Sequence, residues 1–148
     1  MRIIAFGDIH MSLQMCGRIP SIREADLLVI TGDLTNYGRQ REAKEVLDAL
    51  LGFNQNLLAM IGNLDHGEIN DYLEELGLNL HGQARIIQGQ LCLMGTGGSN
   101  MTPFATPTEF SEAELSQLIA QSHEQAQDFM RLARPRNSTI PLVFISHT

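Results

Sequence analysis

Four short apolar runs set the frame for this chain: residues 3–6, 27–30, 57–61 and 142–145. Each holds four or five largely branched residues with little polar alternation, and each is cut off at once by glycine or a polar residue. Runs of that length are far below the ~20 residues of a membrane-spanning helix, and without alternation they fit strands covered on both faces. Between the second and third runs, residues 39–51 place Ala43, Val46, Leu47, Leu50 and Leu51 at helical spacing, with Gly52 as the expected stop. Residues 67–76 give a shorter helix on Ile69, Tyr72, Leu73 and Leu76, ended by Gly77. Strand and helix therefore alternate, which predicts an α/β layered fold. Further on, residues 84–87 and 90–94 predict a β-hairpin turned on Gln88 and Gly89. Residues 95–107, rich in glycine and carrying two Thr-Pro steps, read as a long irregular loop. Ser111 and Glu114 then form a capping box for a helix whose stripe runs through Leu115, Leu118, Ile119, Ser122, Ala126, Phe129 and Met130 to Arg134, where Pro135 blocks continuation. No linker or repeat interrupts the chain, so a single domain over residues 1–148 is expected.

The informative residues stand directly after the runs. Asp8 and His10 follow the first, Gly32-Asp33-Leu34-Thr35-Asn36 the second, Gly62-Asn63-Leu64-Asp65-His66 the third, and His147 the fourth. In open α/β sheets, ligands and catalytic groups gather at the carboxyl ends of the strands. Asp, Asn and His make an oxygen and imidazole donor set without thiolate, which suits Mn²⁺, Fe²⁺/Fe³⁺, Zn²⁺ or Ni²⁺. In an extended segment the two-residue step from Asp8 to His10 turns both side chains to one side, toward one ion. Asp33, entering from the neighbouring strand, is placed to bridge two ions, an arrangement that serves displacement at phosphorus.

Asp8-x-His10, Gly32-Asp33-x-x-Asn36, Gly62-Asn63-x-Asp65 and the later His147 resemble, in order, the signature blocks of the calcineurin-like metallophosphoesterases. The stretch from Gly97-Gly98-Ser99-Asn100 through Thr102-Pro103-Phe104 to Thr108-Glu109-Phe110 is similar to a branch of small bacterial and archaeal predicted phosphoesterases. The resemblance implies a β-sandwich of mixed sheets flanked by helices. It also implies hydrolysis of a phosphate mono- or diester by a hydroxide bridging two metal ions. Asp8 and His10 would bind the first metal, Asp33 would bridge, and Asn63 and His147 would bind the second. Many members carry His directly after the Asn; here Leu64 stands there, and His66 is the candidate general acid. Members usually close the site with a Gly-His-x-His block, and the sequence ends at Thr148 before one. The expectation is therefore the N-terminal two-thirds of such a domain, its exposed edges favouring a homo-oligomer.

Charge and composition narrow the partners. A formal net charge of -7 opposes a long nucleic acid and favours a small-molecule phosphoester or nucleotide as substrate. The two cysteines, Cys16 and Cys92, form no metal or disulfide motif and read as buried thiols of a cytoplasmic protein without a membrane segment. His81 and His123 read as locally bonded or solvated, and Asp65 as a turn residue or an orienter of a neighbouring loop. The rival to an enzyme is a scaffold of the same fold that has lost its metals and binds proteins through the former active face. Retention of Asp8, His10, Asp33, Asn63 and His147 together favours the enzyme.

Overall fold

The computed structural model describes residues 1–133 and 139–147. The strands are β1 (Ile3–Phe6), β2 (Leu27–Ile30), β3 (Leu57–Ala59), β4 (Gln83–Ile87), β5 (Leu91–Thr96), β6 (Ser99–Asn100), β7 (Glu109–Phe110) and β8 (Leu142–Ser146). The helices are α1 (Leu13–Cys16), α2 (Gln40–Phe53), α3 (Glu68–Glu75) and α4 (Glu112–Ala133). One sheet is parallel, in the order β1-β2-β3. The second has the order β4-β5-β8, with β4 antiparallel and β8 parallel to β5. A short parallel pair, β6-β7, stands apart.

The lack of alternation in β2 has a direct cause. Leu28 and Ile30 pack with Ala43, Val46, Leu47, Leu50, Ile69 and Leu73, under the helices α2 and α3. Leu27 and Val29 point the other way and meet Leu58, Leu80, Leu93 and Ile145, which joins the two sheets face to face. On the far side of the second sheet, α4 places Ala126 against Ala84, Cys92 and Met94. The architecture is thus helices, sheet, sheet, helix, and every residue of β2 is buried. Among the described residues no helix is long and apolar enough to cross a membrane.

Four local expectations are corrected. Gly52 does not stop α2, which ends at Asn54: its side-chain amide donates to the carbonyls of Ile22 and Ala25, and its extended backbone (φ -152) breaks the helix from outside. The third run pairs only as far as Ala59, and Met60 and Ile61 continue buried as loop. The glycine-rich stretch is not irregular throughout, because β5 runs on to Thr96 and Ser99–Asn100 pairs with Glu109–Phe110. Finally, β8 is the outer strand of its sheet, and Val143 and Phe144 are 43% and 45% exposed rather than covered. The hairpin turn does use Gln88 (φ 50) and Gly89 (φ 70), and Ser111 Oγ accepts the Glu114 amide while Glu114 accepts the Ser111 amide. The stop at Arg134 and Pro135 lies outside the described residues. Cys16 and Cys92 are buried free thiols, and burial pushes both pKa values up.

Candidate metal centre

The ends of β1, β2, β3 and β8 converge on one point. The two loops after β1 and β2 are zipped backbone to backbone: the amides of Asp8, Ile9, His10 and Met11 donate to the carbonyls of Gly32, Asp33, Asp33 and Leu34. Asp8, His10 and Asp33 all take left-handed φ angles of 52°, 44° and 50°. The extended step expected from Asp8 to His10 is therefore absent. The side chains still meet, with His10 Nε2 3.7 Å from Asp8 Oδ1, because the strained turn does what a pleat would have done.

Asp33 lies at the centre. Its Oδ2 is 3.8 Å from His10 Nε2, and its Oδ1 is 3.6 Å from His147 Nε2. His147 Nε2 is also 3.0 Å from Asn63 Oδ1. The orientation of both rings follows from their other nitrogen. His10 Nδ1 is 3.3 Å from the Thr35 carbonyl and His147 Nδ1 is 3.1 Å from the Thr31 carbonyl. A carbonyl only accepts, so each Nδ1 carries a proton and each ring turns its Nε2 toward Asp33. Two donors sharing an ion at metal–ligand bond lengths of about 2.1 Å stand about 3–3.5 Å apart. The separations found here are close to that, and one ligand atom each of Asp8, Asp33 and His147 lies within 4.8 Å of the others. Oxygen and imidazole donors converging at such separations without a thiolate among them fit a divalent metal.

Burial pushes the Asp33 carboxyl up, against the lowering influence of the Leu64 amide, His147 and His10. Two glycines make its position available. A Cβ on Gly62 would overlap the Asp33 carboxylate, and one on Gly32 (φ +121) would lie 2.6 Å from His147 Nδ1. Asp65 underpins the whole loop pair. It is fully buried, and its carboxylate accepts the amides of Gly62, Leu34 and Thr35 and the Thr35 hydroxyl at 2.8–3.1 Å. It therefore orients the neighbouring loop.

A sequence model of the calcineurin-like phosphoesterases matches residues 1–148. The chain belongs to that family. An uncharacterized protein of Methanocaldococcus jannaschii, MJ1162, is 36% identical over 119 residues, a match covering 78% of this chain and 51% of the relative. The chain thus spans about half the length of that curated relative. The crystal structure of TT1561 of Thermus thermophilus is similar in fold, with a TM-score of 0.68 at 18% identity over 99% of this chain and 68% of the other. Calcineurin-like phosphoesterases are divalent-metal proteins as a family, and mixed sheets between helices are their fold.

Within this phosphoesterase domain the other singled-out residues divide. His66 is half-buried on the turn into α3, its carbonyl accepting the Ile69 amide; among the described residues no hydrogen bond or ion pair joins its ring to the cluster. His81 is buried, accepts the Gly97 amide at 2.8 Å and stacks on Phe110, so it holds the end of β5 in place, and burial lowers its pKa. The residues that sequence reasoning passed over are Thr31 and Thr35, which hold the two rings, and Thr106, which meets Asn63 Nδ2 at 3.3 Å. Thr31 and Thr35 act through backbone carbonyls, for which no side-chain signal exists. Thr106 acts across 43 residues of sequence.

Proposed function

We propose that this site serves the metal-dependent hydrolysis of a phosphate mono- or diester. The observation that carries the reading is Asp33, each of whose oxygens faces the Nε2 of a different histidine. Asp8, His10 and Asp33 Oδ2 would hold one ion; Asp33 Oδ1, Asn63 Oδ1 and His147 Nε2 would hold a second. Such ions supply Lewis acidity toward a phosphoryl oxygen and an acidified water as nucleophile. The donor set suits Mn, Fe, Zn or Ni.

The chain's own groups supply order and access. Thr31 and Thr35 keep both imidazoles in the tautomer that leaves Nε2 free, and Asp65 stops the two loops from drifting apart. The Asp8 and His10 side chains are 72% and 35% exposed, whereas those of Asp33 and His147 are 5% and 4% exposed. Asp8 and His10 thus form a rim open to solvent over a buried floor. A small phosphoester or nucleotide suits that rim, and the net charge of -7 opposes a long nucleic acid. His66 is the proton donor this loop offers to a leaving group. Its replacement by Asn should slow esters of poor leaving groups while sparing aryl esters. Two buried free thiols accord with a reducing, cytoplasmic setting.

The test is metal content together with hydrolysis of p-nitrophenyl phosphate and its bis-ester, on the wild type and on Asp33→Ala. Close to two ions per chain and turnover lost in the variant are expected. Turnover that survives Asp33→Ala sinks the reading.

A further inference from the structure

We propose that Thr106, clamped by Glu109, is a positioning residue that decides which end of the Asn63 amide enters the site. The inference rests on the reading of Asn63 as a cation ligand. An Asn side chain has a donating and an accepting end of nearly the same shape, and only the oxygen can ligate. Something must therefore distinguish the two ends, and a chain of hydrogen bonds with a forced direction does so.

The chain begins at Glu109, whose carboxylate accepts and does not donate. Its Oε1 lies 2.7 Å from Thr106 Oγ1, 2.8 Å from the Thr106 amide and 2.6 Å from Thr102 Oγ1, and its Oε2 accepts the Thr102 amide at 3.0 Å. The Thr106 hydroxyl proton is committed to that oxygen, so only lone pairs remain on Thr106 Oγ1 for its other neighbour. That neighbour is Asn63 Nδ2, at 3.3 Å, which must donate. The opposite end, Asn63 Oδ1, is thereby turned to His147 Nε2 at 3.0 Å. The same segment is fastened to the backbone on both sides of the turn, since Thr108 N donates to the Asn63 carbonyl and Thr108 Oγ1 to the Asp65 carbonyl. In this scheme Glu109 acts on Asn63 through Thr106.

The test is calorimetric titration of Mn²⁺ into the wild type, Thr106→Val, Thr106→Ser, Asn63→Asp and the double variant Asn63→Asp/Thr106→Val. Thr106→Val should weaken one of two sites by about 10–100-fold, the usual cost of losing a partner behind a ligand. Thr106→Ser, which keeps the hydroxyl, should titrate like the wild type. In the Asn63→Asp background Thr106→Val should have no effect, because the two ends of a carboxylate are equivalent. A loss that persists in that background shows a role in loop shape alone and overturns the proposal. Glu109→Ala, which removes the acceptor, is the second variant should Thr106→Val fold poorly; the same loss at one site is expected, and an unchanged titration overturns the proposal. A wild type that takes up no Mn²⁺ overturns this inference and the metal reading together. Normal uptake with an unchanged Thr106→Val overturns this inference alone.

Discussion

His147 Nε2 and Asn63 Oδ1 lie 3.0 Å apart, two electron-rich atoms brought together from positions 84 residues apart in the chain. Under the proposed function the two would share one cation, and binding it would stabilise the fold. The expected outcome is that Mn²⁺ at about 100 times its dissociation constant stabilises the fold by about 2.7 kcal/mol. For a chain of this size that is a Tm higher by about 5–10 °C. Scanning calorimetry with Mn²⁺ and then excess chelator checks it, and a Tm indifferent to both would count against the site.

Asp65 touches no proposed ion, yet it should matter most for stability. Removing its carboxylate strands three backbone amides and the Thr35 hydroxyl in a buried place. With unsatisfied buried donors costing about 1–3 kcal/mol each, Asp65→Ala should lose at least about 3 kcal/mol. Urea denaturation measures this directly.

Gly62 and Gly67 make a matched pair five residues apart. A Cβ on Gly62 overlaps the Asp33 carboxylate, whereas one on Gly67 meets nothing within 4 Å. Gly62→Ala should abolish Mn²⁺ uptake by displacing Asp33. Gly67→Ala should bind like the wild type and shift stability by no more than about 0.5 kcal/mol. Equal titrations of the two variants would contradict the geometry.

The Glu109 carboxyl is held down to about 2 by the hydroxyls and amides of Thr102 and Thr106. A depressed carboxyl contributes stability that is complete above its ordinary value of 4.5, declines as pH falls, and is gone below about 2. Unfolding midpoints of the wild type should therefore fall between pH 4.5 and pH 2 more steeply than those of Glu109→Gln. Parallel profiles would show that the clamp does not form in solution.

The outer edge of β8 is unpaired among the described residues, and Val143 and Phe144 stand exposed beside it. Such an edge pairs with others of its kind. This chain should self-associate at high concentration, and Phe144→Lys should reduce the association. Light scattering that finds only monomer for both would refute it.

The sequence by itself determined strands β1, β2 and β3 to within a residue or two, and the polar residues that follow them. Strands buried on both faces read as continuous apolar runs because each face meets its own layer, as Leu28 and Val29 do. The polar residues that follow each run are then forced to one edge of the sheets, and so the ordered blocks around Asp8, Asp33, Asn63 and His147 were legible without coordinates. What the tertiary structure alone decided was direction. Left-handed φ angles at Asp8, His10 and Asp33 replace the extended step, and backbone carbonyls of Thr31 and Thr35 choose the imidazole tautomers. Asn54, bonded to the loop after α1, ends α2 where Gly52 was expected to. Glu109, through Thr106, turns the amide of Asn63. Each of these depends on a hydrogen bond between segments distant in the chain, and local propensity and periodicity carry no trace of a partner that only folding brings near.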